Sequence, residues 1–66
     1  MVAVETVVEV EGMSFVIRAW PSRAADGWFW VARADDHPFV RESRRPWATA
    51  HAATEAAIRQ LQRVLG

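Results

Sequence analysis

Gly27-Trp28-Phe29-Trp30-Val31-Ala32-Arg33-Ala34-Asp35 places three aromatic side chains and a β-branched one in a short run. Turn-forming pairs flank it, Asp26-Gly27 before and Asp35-Asp36 after. That combination predicts a strand over 27–35. Strand alternation sends Trp28 and Trp30 to one face and Phe29 and Val31 to the other, so both faces are apolar at its start. Toward the N-terminus, 14–20 reads as a second strand with Phe15, Ile17 and Ala19 on one face and Val16, Arg18 and Trp20 on the other. Pro21 ends it, and the polar stretch 22–27 makes a loop. Residues 2–10 alternate again, with Val2, Val4, Thr6, Val8 and Val10 on one parity and Ala3, Glu5, Val7 and Glu9 on the other. Glu11-Gly12 then reads either as a tight hairpin turn or as a glycine bulge in one long strand.

Toward the C-terminus, Asp35-Asp36-His37-Pro38 is a turn, and 39–44 reads as a polar strand whose flanking Pro38 and Pro46 suit a sheet edge. Thr49 has the character of a helix N-cap. The positions Ala50, Ala53, Ala57, Ile58, Leu61, Val64 and Leu65 form an apolar stripe at helical spacing, which predicts a helix over 50–65. Its opposite face carries Glu55, Arg59 and Arg63. The expected fold is a single α+β domain over 1–66, a three- to four-stranded antiparallel sheet packed on one face by the C-terminal helix, β-β-β-α or β-β-β-β-α.

The chain has 66 residues and no cysteine. A domain of this size buries only about 60% of the surface its unfolded chain exposes, and neither disulfide nor thiolate-held zinc is on offer to reinforce it. The 52% hydrophobic content, with four Trp and three Phe, excludes disorder. The formal charge is zero, so no global field recruits nucleic acid or an acidic membrane. All basic residues are Arg and alanine is abundant, the bias of a GC-rich genome and thus of a bacterial source. No run approaches a membrane span and the start lacks a signal-peptide pattern, so a cytoplasmic location is expected.

The Gly27-Trp28-Phe29-Trp30-Val31-Ala32 strand, a short strand after it, and the helix start Trp47-Ala48-Thr49-Ala50-His51-Ala52-Ala53-Thr54-Glu55-Ala56-Ala57-Ile58 resemble small bacterial βββα proteins. The arrangement over about 12–65 is similar to HicB-type antitoxin N-terminal domains. Where those carry a Pro-Asp-Leu-Pro-Gly-like segment after the second strand, this chain has Asp35-Asp36-His37-Pro38, and no site residue carries over.

Asp35, Asp36 and His37 have the composition of metal ligands, but adjacent residues seldom converge on one ion, and a polar turn is the expected role; no metal or cofactor is expected. Ser14, Ser22 and Ser43 stand in no nucleophile context, and catalysis is not expected. Arg41, Arg44, Arg45 and Trp47 form a basic and aromatic cluster of the kind that contacts phosphate and stacks on bases. Glu42 and the zero net charge weigh against that reading.

One helix covers one sheet face. The other face carries Val16, Trp20, Phe29 and Val31, and an apolar patch of that size usually marks an interface. The expected function is therefore a non-enzymatic protein-interaction module whose partner is a second copy or another protein. The alternative is a nucleic-acid-contacting accessory protein of toxin–antitoxin type using 41–47. The 2–10 strand is a further candidate to cover the open face, by folding over it or by swapping to a partner.

Overall fold

The computed structural model describes residues 2–24 and 26–66. Among the described residues, four strands, β1 (Val4–Val10), β2 (Met13–Pro21), β3 (Trp28–Ala34) and β4 (Val40–Glu42), precede one helix, α1 (Ala50–Leu65). They form one sheet in the order β1-β2-β3-β4, every neighbouring pair antiparallel. The α+β expectation holds in its four-stranded form. The loop expected over 22–27 includes Ala25, which lies outside the described residues.

Glu11-Gly12 is a hairpin turn, because Val10 and Met13 are direct partners across it. Both central residues have positive φ, 51° at Glu11 and 77° at Gly12, as the primed two-residue turn demands. So short a link can only bring β1 down beside β2. The first strand therefore widens the sheet and does not fold across its open face, and within this chain it pairs with its own neighbour.

The face toward the helix holds Phe15, Ile17 and Ala19 from β2 and Trp30, Ala32 and Ala34 from β3, all buried. From the helix come Ala53, Ala56, Ala57 and Leu61. Small residues on the helix let it lie close, and Phe15, Ile17, Trp30 and Leu61 fill the remaining volume. The facing stripe differs from expectation at two positions. Ala56 is buried, whereas Val64 remains 42% exposed because Leu65, four residues after Leu61, takes the inward place on the last turn. Thr49 caps the helix, its hydroxyl oxygen accepting the Ala52 N–H at 3.0 Å.

The last strand is shorter than 39–44, and the reason is visible in its hydrogen bonds. Ser43 N–H donates to the Trp30 carbonyl at 2.9 Å, but the Trp30 N–H donates to the Ser43 hydroxyl at 3.1 Å, where a ladder would use the Ser43 carbonyl. Pairing resumes only at Trp28 and Trp47, which exchange two bonds of 2.7 and 2.8 Å. Three residues, Arg44-Arg45-Pro46, thus span the interval that Phe29 alone spans on β3, and they loop out of the ladder.

Candidate functional site

Pairing registers set the open face row by row. Glu5, Arg18, Val31 and Glu42 lie in one line across the four strands, and Val7, Val16, Arg33 and Val40 in the next. Trp20 and Phe29 are direct partners, with rings stacked at 6.3 Å between centroids and 24° between planes. All four residues expected at an interface, Val16, Trp20, Phe29 and Val31, occupy this face and are half-buried. Val7 and Val40 join them, exposed by 70% and 48%.

The face is grooved and its charges are interspersed. A shallow depression of about 530 Å³ is lined by Ala3, Arg18, Trp20, Pro21, Arg23 and Val31. A second, of about 340 Å³, lies among Glu5, Val16, Arg18, Val31, Arg33 and Asp35. Arg18 and Val31 border both, so apolar wall and guanidinium alternate across the surface. The contributions of Val7, Val40, Arg18 and Arg33 were not singled out from sequence. Period-two alternation assigns each to a face of its own strand, but only the register shows that Val7, Arg33 and Val40 share a row with Val16 and that Arg18 shares one with Val31.

The 41–47 segment is drawn together in part. The Arg44-Arg45-Pro46 excursion places Arg44, Arg45 and Trp47 around one cleft of about 220 Å³, with Trp30, Glu42, Ser43, Ala56 and Gln60. The Arg45 guanidinium lies over the Trp47 ring, 4.2 Å from its centroid. Trp47 also packs against the core, so its ring is already engaged. Arg41 stands opposite Ala32, its guanidinium 4.6 Å from the Phe39 centroid and donating to the Val40 carbonyl at 3.2 Å. It borders a neighbouring depression that it shares with Arg44. The Trp30 indole N–H is buried without an acceptor among the described residues.

Asp35, Asp36 and His37 lie exposed in the turn after β3. His37 and Asp36 approach to 4.0 Å, and among the described residues no group of three or more His, Asp or Glu side chains converges on one point. Among the described residues, no helix is long and apolar enough to cross a membrane. Comparison with protein families, with curated proteins and with solved structures found no match to this chain.

Proposed function

We propose that this protein is a small non-enzymatic interaction module that self-associates through the open face of its sheet. What carries the reading is the uncovered apolar surface of Val7, Val16, Trp20, Phe29, Val31 and Val40, spread over all four strands. Arg18 and Arg33 offset two of the three carboxylates that Glu5, Glu9 and Glu42 place on the same face, which limits the repulsion between two copies that meet there. Burying such a surface stabilises a 66-residue domain whose internal core is small.

Sedimentation at high micromolar concentration is the test, with a dimer as the expected result. Val16→Glu places a carboxylate in the apolar row between Val7 and Arg33 and should raise the dimer dissociation constant by about tenfold or more. A wild-type chain that sediments as a monomer throughout that range would sink the proposal.

A second reading rests on the Arg44-Arg45-Pro46 excursion. The guanidinium of Arg45 lies on Trp47 with Arg44 beside it, which suits contact with phosphate in a nucleic-acid-contacting accessory protein of toxin–antitoxin type. Binding of single-stranded RNA at low salt should then fall about tenfold in the R44A/R45A double variant and weaken as salt rises. Absence of binding at low salt removes this reading.

A further inference from the structure

The long edge of the sheet has backbone groups without strand partners, and their direction follows from parity. Between β2 and β3, Asp35 N–H donates to the Ser14 carbonyl at 3.1 Å and Ser22 N–H to the Gly27 carbonyl at 2.8 Å. Even-numbered residues of β2 therefore bond toward β3 and odd-numbered ones toward β1. The odd residues Met13, Phe15, Ile17 and Ala19 face Val10, Val8, Thr6 and Val4. The N–H and C=O groups of Glu5, Val7 and Glu9 consequently point outward from the edge.

The two edges are unlike. On the far side, β4 has three residues and lies between Pro38 and Pro46, so it offers little to pair with. The near side is a seven-residue strand without proline or bulge, and no described element lies beyond it in the sheet. The side chains of Glu5, Val7 and Glu9 share one face and are exposed. Glu9 stands opposite Ser14, and neither carboxylate is in an ion pair among the described residues.

We propose that the β1 edge accepts an extended basic segment of a partner protein as a fifth strand. Two cationic side chains four residues apart face Glu5 and Glu9, roughly 14 Å apart along the strand, and an aliphatic side chain midway between them lies against Val7. Backbone bonds to Glu5, Val7 and Glu9 supply affinity, and the two carboxylates select the sign of the partner. Charge argues against a second copy in this place. Antiparallel pairing of two β1 strands about Val7 sets Glu5 directly against Glu9 twice, and every other register still gathers four carboxylates on one face of two adjacent strands. The inference goes beyond the self-association proposed above: face-to-face packing leaves the backbone groups of both edges open, while the side chains of Glu5, Val7 and Glu9 lie on the open face, so the dimer and the added strand share Val7.

The probe is a capped heptapeptide, Thr-Arg-Thr-Val-Thr-Arg-Thr. One control replaces both arginines by glutamate, and another is N-methylated at the arginines and the valine. Site-resolved amide hydrogen exchange reads the result on the whole chain. The basic peptide at millimolar concentration should slow exchange at Glu5, Val7 and Glu9 by about fivefold or more, with both controls inert. The E5Q/E9Q double variant should weaken peptide binding by about tenfold, and raised salt should weaken it for the wild type. Repeating the titration with Val40→Glu, a change on the open face opposite Arg33 and at the other edge of the sheet from β1, separates this result from the fate of the open-face dimer. No slowing at those three amides, equal slowing by the acidic peptide, or slowing that rises with protein concentration in the absence of peptide would overturn the proposal. The last of these would assign the edge to a second copy.

Discussion

Phe15→Ala is expected to remove about half or more of the chain's folding stability. The ring is fully buried between the sheet and the helix, and it meets Phe39 edge to face at 5.8 Å between centroids. Truncating a buried phenylalanine removes its transfer free energy and leaves a cavity, together about 3–5 kcal/mol. A chain of 66 residues has a total stability of about 3–10 kcal/mol, so one such loss consumes a large share of it. Neighbours cannot close the gap cheaply. The residue opposite on β3 is Ala34, and the facing helix positions include Ala53 and Ala57, none of which can extend into the space. Phe15→Leu keeps most of the volume and should cost about 1.5 kcal/mol, enough to lower the urea midpoint while preserving a cooperative transition. Circular dichroism and tryptophan fluorescence across a urea series check both. A Phe15→Ala chain within about 1 kcal/mol of wild type would show that the layer collapses around the missing ring.

The same alanines explain what was legible in the sequence. Thr49 and the recurrence of apolar residues at helical spacing suffice to place the helix over 50–65, and the alternation around Trp28-Phe29-Trp30-Val31 suffices to sort strand residues into two faces. Face assignment is local, so Val16, Trp20, Phe29 and Val31 could be grouped before the strand order was known. Three features depend on non-local partners. Ala56 is inside and Val64 is not because the position of the sheet beneath the helix selects among near-equivalent stripes. Glu11 takes a positive φ because the flanking strands pair, and glutamate itself carries no such preference. The excursion at Arg44-Arg45-Pro46 arises where the Ser43 hydroxyl takes the Trp30 N–H, a competition between side chain and ladder that composition does not reveal. The outward-facing backbone of β1 is likewise a property of register.

Gly27→Ala should be the most damaging of the glycine substitutions, and comparison with Gly12→Ala isolates the reason. Both glycines have positive φ, +77° at Gly12 and +154° at Gly27, so an alanine is strained at either. A Cβ at Gly12 meets nothing within 4 Å, and the cost there should stay at about 1–2 kcal/mol. A Cβ at Gly27 falls 2.7 Å from the Pro46 Cβ and 2.8 Å from the Trp47 carbonyl oxygen. The second obstacle is backbone, and it belongs to the residue whose two hydrogen bonds with Trp28 close the far end of β3. Relief requires that bridge to open. Backbone strain of about 1–3 kcal/mol then adds to two lost hydrogen bonds of about 1 kcal/mol each, for a total of about 3 kcal/mol or more. Urea unfolding measures the difference between the variants, and indole N–H resonances of Trp28 and Trp47 locate it. Equal costs at the two positions would mean that the 46–47 segment shifts freely and that the bridge holds nothing in place. If the bridge opens as expected, Arg44 and Arg45 lose their anchor beside Trp47, and any affinity for phosphate falls with it. The β1 edge lies at the other side of the sheet, so any chain that remains folded should still protect Glu5, Val7 and Glu9 against the basic peptide.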